Sequence, residues 1–473
     1  MSRKTRTILF FFLTFAFLVT APFILLYSEG YRLDFKNWKI TQTGGIFLKA
    51  QPKKVKVFIN KKFVKETDIV FGSFFKDNLI PGQYLVEIFK EGFQPWAKTL
   101  EIKEKMVTKT QNIILAPENK NLFELLASKI QNVFLSKDLS LAIFIEKKEF
   151  SPKQNIQEIK LFEIPKRLKT YLVSTENLHS NFEITNVLIS ENKKKVLIEG
   201  ILKEENIFYL LQLNPQPKIV SLKSLPKNVL KITFNPFNEE ELILMVPKEN
   251  APEKFQLLSF SWQNKISKPV PLVEDILTFE TQNQNIFWLS ADGFLFKKDL
   301  KTNKQEKLNQ EPFSIEKGEV EKQIILGNED ILIRQNQNLF LLQKETGVFE
   351  KIDENNKLLD FSPDNKNIAL ATDFEIWIYP KENSDNPFPI EKNKKFLLTR
   401  YSKKIQNLFW LNSEYLIFTA GDEINLIEID LRDYAQVWKL GVFEKPEVWF
   451  DSKSNRLIVF ANNELFISKS LKP

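Results

Sequence analysis

Apolar and polar positions follow three different rhythms along the chain. Residues 7–27 (TILFFFLTFAFLVTAPFILLY) form a nearly unbroken apolar run, and no charge appears between Arg6 and Glu29. At about 1.5 Å of rise per residue, such a helix is just long enough to cross a hydrocarbon core of about 30 Å. No polar face interrupts it, as one would on a helix buried at a domain surface. From Gly44 the pattern switches to period two. Residues 46–50 form a short strand, Pro52-Lys53-Lys54 turns the chain, and Val55, Val57 and Ile59 then share one face. Asn60-Lys61-Lys62 reads as a hairpin turn, with Asn60 suited to an unusual φ. Pro81-Gly82 is a stronger turn, followed by a strand over 84–90, a turn at Glu91-Gly92, and strands over 97–102 and 107–115. Six or seven short strands over residues 44–117 make a small sandwich without room for a ligand cavity of its own.

From about Asn119 a third rhythm recurs: an alternating apolar strand, a tight polar turn, a second apolar strand, then a third and a weaker fourth. The clearest copy is residues 358–370 (LLDFSPDNKNIAL). Others start near Ile130, Ile184, Val229, Ile276, Lys322, Lys404 and Pro446, at roughly 37–54 residue intervals, the length of a four-stranded propeller blade. Eight blades are the first choice and seven the second. The chain ends soon after the third strand of the last copy. Residues 121–127 (NLFELLA), ahead of the first copy, are expected to supply its missing outer strand and so remove a sheet edge.

The expected fold class is therefore all-β behind an N-terminal transmembrane helix: residues 1–6 cytoplasmic, 7–28 a signal anchor, 29–43 juxtamembrane, 44–117 a small sandwich and 118–473 a β-propeller. Arg3, Lys4 and Arg6 without any acid favour an N-terminus inside and the bulk outside the membrane. The rival is a cleaved signal peptide, but its best site, Val19-Thr20-Ala21, would leave Pro22 after the cut. Tyr27, Tyr31 and Trp38 suit the headgroup level, and Trp38 equally suits packing on the next domain.

Charge changes the picture in one place. The chain of 473 residues carries a net +7, of which residues 1–43 hold +4 and residues 44–117 hold +6, so the remainder is −3. The basic excess is membrane-proximal. It fits either attraction to anionic headgroups and wall polymers or a lysine-rich solvated surface. A nucleic-acid partner is not expected across a membrane. The 43 phenylalanines fit a low-GC genome better than a function. There is no Cys, so thiol catalysis and cysteine metal sites are excluded and the folds are held by core burial. The one histidine, His179, sits in a polar stretch and reads as an exposed loop residue.

Two resemblances follow from particular residues. Gly45 with Ile46, Pro52, Val57-Phe58-Ile59-Asn60, Pro81-Gly82-Gln83-Tyr84, Glu91-Gly92-Phe93, Pro95-Trp96 and Ile114-Leu115 resemble a PEGA domain over residues 44–117. Asn60-Lys61 replaces that family's usual Asp-Gly turn, and its Gly-x-Thr-Pro loop has no counterpart in residues 65–71. The resemblance implies an extracytoplasmic β-sandwich with a binding or spacing role and no catalytic residues. By their own chemistry these glycines and aromatics are turn formers and core fillers. Ser362-Pro363-Asp364 resembles the turn of TolB-type or WD40-like propellers, where proline fixes φ and the carboxylate bonds nearby amides. The other copies carry Ser136-Lys137-Asp138, Asn235-Pro236-Phe237 or Asp451-Ser452-Lys453. The whole chain resembles membrane-anchored PEGA-plus-propeller proteins of bacteria.

No P-loop, G-x-S-x-G or dinucleotide fingerprint occurs. Ser290-Ala291-Asp292-Gly293-Phe294 reads as an Asp-Gly hairpin rather than a sialidase box, and 383–387 (NSDNP) as a loop rather than a calcium ligand set. The expectation is a non-enzyme with no cofactor and no metal. It would be a single-pass envelope protein whose propeller binds a protein or glycan partner at one mouth of its channel. The alternative is a propeller hydrolase or lyase acting on envelope polysaccharide, with a pair of carboxylates that the order of the sequence does not single out.

Overall fold

The computed structural model describes residues 3–34, 38–147, 156–179, 182–213, 217–248, 251–263, 268–316, 321–385 and 387–472. Ser180 and Asn181, beside His179, and Asn386, in the loop before Pro387, lie outside the described residues. His179 itself is exposed.

The apolar run forms α1 (Arg3–Ser28), 26 residues with Pro22 inside. An 18-residue stretch within Lys4–Ser28 has a mean hydropathy of 2.5, and none of it is buried against protein. The helix is long and apolar enough to cross a membrane, a test that a signal sequence also passes. The segment after it makes a two-stranded antiparallel hairpin, β1 (Tyr31–Asp34) and β2 (Lys39–Gln42). Trp38 in its turn is 80% exposed. The alternative in which Trp38 packs on the next domain is thereby overturned.

Seven strands follow, forming two facing sheets. They are β3 (Gly44–Gln51), β4 (Lys56–Ile59), β5 (Lys62–Glu66), β6 (Ser73–Leu79), β7 (Gly82–Phe89), β8 (Trp96–Ile102) and β9 (Val107–Ile114). One sheet has the order β6-β3-β9, the other β5-β4-β7-β8. Period-two burial explains the pairing of faces: Val57 and Ile59, Val86 and Ile88, and Leu100 and Ile102 all turn into the core. Asn60 and Lys61 take φ of 48° and 64° between paired Ile59 and Lys62, a two-residue type I′ hairpin.

The remaining strands build a β-propeller of antiparallel meanders. After β10 (Phe123–Ser128) the strands group, in sequence order, into four-stranded sheets and one seven-stranded sheet. In the long sheet the 13-residue strand Val270–Gln282 pairs backwards through Val270–Ile276 and forwards through Ile276–Gln282. The repeat expected to start near Ile276 therefore opens in the middle of a strand, not after a loop.

The second strand of each meander lies between two neighbouring sheets and buries both faces. Ile143 and Ile145 pack towards the sheet that contributes Val196 and Ile198, while Ala142 and Phe144 pack towards Ile458 and Leu465 of the last sheet. This double burial is why these strands read as unbroken apolar runs instead of alternating. The first strand often opens on a bulge after a buried isoleucine. Pairing slips between Ile130 and Asn132, Ile184 and Asn186, Ile276 and Thr278, and Ile405 and Asn407. A bulge increases local twist, which suits the inner strand of a ring. Closure follows the expected route: β10 pairs antiparallel with Glu464–Ser468 and supplies the outer strand of the sheet formed by the chain's last three strands.

Candidate binding cleft beside the domain seam

The sandwich is welded to the propeller along its β8 edge, against the sheet of Ile405–Asn412, Tyr415–Ala420, Glu423–Glu428 and Val437–Val442. Trp96, Leu100, Ile113 and Ile114 share one core with Leu411, Ile417, Leu426 and Trp438. Within that apolar seam lies a fully buried lysine. Lys98 Nζ stands 2.6 Å from Glu428 Oε1 and 3.8 Å from the Asp430 carboxylate, and donates to the Asp430 carbonyl at 2.6 Å. Trp96 Nε1 donates to the other Glu428 oxygen at 3.0 Å. Burial pushes the Glu428 carboxyl above its ordinary range, against the pull of the Lys98 ammonium and the Trp96 N–H. Each polar atom in this cluster has a partner, which buried charge requires.

The backbone across the seam is satisfied by side chains. Gln436 accepts from Ala97 N at 3.3 Å and donates to Ala97 O at 2.7 Å, standing in for a neighbouring strand. Asp433 accepts from Thr99 N at 2.8 Å, and Trp438 Nε1 donates to Pro95 O at 3.0 Å. Tyr415, wholly buried, accepts from Ile114 N at 3.0 Å, and burial raises its hydroxyl pKa well above the usual value. These bonds cap an edge strand that would otherwise be open to pairing.

Beside the seam opens a cleft of about 200 Å³. Its walls come from β9, from the turns at Asp364 and Glu414, and from the loop carrying Glu382 and Ser384. Glu414 is half-buried; Asn112 donates to it at 3.0 Å, while burial and the nearby Asp364 raise its pKa. Arg432 is saturated by the Asp430 carboxylate, Lys109 O and Thr110 Oγ1. Lys366 pairs with Glu382. The rim thus offers carboxylates, hydroxyls and amides, chemistry that suits a basic or hydroxyl-rich ligand. Among the described residues no group of three or more His, Asp or Glu is disposed to hold a metal ion.

The residues singled out in the sequence fall into two sets. Most serve the sandwich internally. Gly45 lies in β3, where an added Cβ would stand 3.1 Å from Lys76 O. Pro52 follows β3, and Asn60 Oδ1 accepts from Leu85 N at 2.9 Å, tying the hairpin to β7. Pro81 precedes Gly82, the first residue of β7, and Tyr84 donates to Ile80 O at 2.8 Å. Gly92 sits at φ 82° and Phe93 bridges to Pro117. At the junction stand Pro95, Trp96, Ile114 and the propeller turn. Ser362 donates to Asp364 at 2.6 Å and accepts from Asn367 N at 2.9 Å, and Asp364 lines the cleft. Ser136 with Asp138, and Ser190 with Asn192, repeat these bonds without proline. The kept chemistry is the serine and the side-chain oxygen two residues on.

Lys98, Glu428, Asp430 and Gln436 were not singled out. One signal was available: Lys98 is in phase with Trp96, Leu100 and Ile102, so period two places an ammonium on a buried face. Its partners lie more than three hundred residues away, at spacings that carry no pattern.

No family model and no curated protein matches the chain. Solved structures do. The computationally designed Ika8 protein is 12% identical, with 72% of this chain and 96% of that one covered at a TM-score of 0.43. Sqt1 of Saccharomyces cerevisiae is 7% identical, covering 73% of this chain and 96% of that one, TM-score 0.43. Hsv2 of Kluyveromyces lactis is 12% identical, covering 68% of this chain and 100% of that one, TM-score 0.39.

Proposed function

We propose that this is a single-pass membrane protein that works as a non-enzymatic binding scaffold, its N-terminus cytoplasmic and its β units on the outer side. In this reading the sandwich is PEGA-like, and the propeller is of TolB or WD40-like type with eight blades, each half of the seven-stranded sheet counting as one. The observation that supports the reading best is the seam. A buried, fully partnered ion pair inside a shared core makes sandwich and propeller one rigid body, so that a helix-tethered sandwich presents the propeller at a fixed attitude. The partner is an envelope protein or glycan that offers cationic or hydroxyl groups to the cleft at Asp364, Glu382 and Glu414.

The test uses the full chain in lipid nanodiscs, mixed with purified wall sacculi and surface polysaccharide at low and high salt. Retention and released sugar are measured together. In parallel, a photo-crosslinking residue at Ser384, which also lines the cleft, is activated in cells. The expected result is retention or a discrete crosslinked partner, weakened by Asp364→Asn with Glu382→Gln, and no released sugar. Released sugar would replace this reading with the hydrolase or lyase. A crosslink pattern indifferent to the cleft substitutions would move the partner elsewhere.

A further inference from the structure

The sandwich has a second edge, far from the propeller, formed by β5 and β6. There Phe63, Ile69, Val70, Phe71 and Phe75 are 57–67% exposed. Between β5 and β6 the chain is held, not loose. The Asp68 carboxylate accepts from Val70 N at 2.8 Å, Phe71 N at 2.6 Å and Ser73 N at 2.7 Å. These bonds hold its pKa well below the usual carboxylate range. Gly72 sits at φ 68°, where a Cβ would come within 2.4 Å of Ala50 O, so the loop closes tightly on β3. The result is a stiff turn that points three consecutive apolar side chains outward.

The surroundings are basic. Lys53, Lys54, Lys56, Lys61, Lys62, Lys65 and Lys76 are exposed, against Glu66, Asp68 and Asp77 over the same stretch. Among the described residues none of these seven lysines lies in a salt bridge. Lysines on an edge strand also discourage edge-to-edge pairing, but that role does not account for an exposed Ile-Val-Phe triplet. The end of α1 is clipped to the same edge. Arg32 donates to Tyr27 O at 2.8 Å and to Asn78 Oδ1 at 2.7 Å, and Asn78 lies on β6. From there β6 runs about 17 Å back to Ser73, at the end of the apolar turn.

We infer that the β5–β6 edge lies on the surface of the bilayer that α1 crosses, with Ile69, Val70 and Phe71 at the acyl boundary and the lysines on anionic phospholipid headgroups. An apolar tip with a basic rim is the chemistry that binds such an interface, and a single tether leaves it within reach. The inference rests on reading α1 as a membrane span. It turns that span from a flexible leash into one of two attachment points, so that the propeller is held off the membrane by the width of the sandwich.

The absence of native cysteine makes the test direct. The full chain is reconstituted in phosphatidylglycerol–phosphatidylcholine vesicles with one environment-sensitive fluorophore, at Val70→Cys, at Leu18→Cys in the helix, or at Lys301→Cys on an exposed propeller turn. Brominated lipids and aqueous iodide serve as quenchers. The expected result is a blue-shifted Val70 label quenched by brominated lipid, as the Leu18 label is, while the Lys301 label responds only to iodide. Replacing Lys53, Lys62, Lys65 and Lys76 by Gln, or raising salt, should return the Val70 label to the behaviour of Lys301 and leave Leu18 unchanged. A Leu18 label quenched by lipid beside a Val70 label quenched only by iodide overturns this inference alone. A Leu18 label that lipid does not quench overturns the membrane span and the inference together. A Val70 label shielded from both quenchers in a concentration-dependent way overturns it in favour of a second copy of the chain.

Discussion

The two edges of the sandwich use similar residues to opposite ends. At the β8 edge, Trp96 and Lys98 are removed completely from water, and every polar atom they bring has a partner from the propeller. At the β5–β6 edge, Phe63, Phe71 and Phe75 stay exposed and their neighbouring lysines lie outside any salt bridge among the described residues. The fold treats both as rims of the same two sheets. What differs is whether another surface of the chain arrives to cover them. An aromatic–lysine pattern therefore specifies an interface without specifying the partner.

Substitutions separate the two edges by stability. Lys98→Ala should have the largest effect, a loss of about 3–5 kcal/mol in denaturant unfolding of the full chain, because Glu428 is left buried without its cation. Combining Lys98→Met with Glu428→Gln should recover most of that loss, since neither charge then needs the other. The single Lys98→Met change also carries a pH signature. A carboxyl whose folded pKa is raised contributes stability below its unfolded pKa and loses it as pH rises through the folded value. Glu428 is already raised, and loss of Lys98 raises it further, so the cost of Lys98→Met should shrink as unfolding is measured at lower pH. If the cost is flat with pH, the ion pair is not what holds the seam.

Tyr415→Phe should cost about 1–3 kcal/mol, the penalty for leaving the buried Ile114 N–H without an acceptor. At the other edge, Ile69→Ser with Phe71→Ser should change unfolding by no more than about 0.5 kcal/mol, because exposed side chains away from special features contribute little. A large loss there would mean that the triplet packs on protein and the contrast between the edges is false.

Much of the architecture is local and was legible. The helix rests on an uninterrupted apolar run, and the hairpin at Asn60-Lys61 on turn chemistry. The propeller rests on a phrase repeated at blade length, and even the closing strand near Phe123 follows from a missing outer strand at the chain's end. A finer signal lay in the same segments: Ile-x-Asn or Ile-x-Thr at 130, 184, 276 and 405 marks the bulge that opens the inner strand. In the propeller-type turn the expected Asp364 carboxylate does accept a backbone amide, from Lys366, but the further bonds are made by Ser362 and recur where proline is absent.

By itself the sequence determined the elements, because hydrophobic period and turn residues act over a few positions and need no knowledge of what lies elsewhere. Only the tertiary structure decided that sandwich and propeller share a core, and that Lys98 meets Glu428 across 330 residues. It alone set Asp364 and Glu414 on the walls of one cleft, and left one apolar edge covered and the other bare. Those outcomes depend on which surfaces meet after each unit has folded. The energy of such a meeting lies in pairs of distant residues, for which one chain read in order carries no period.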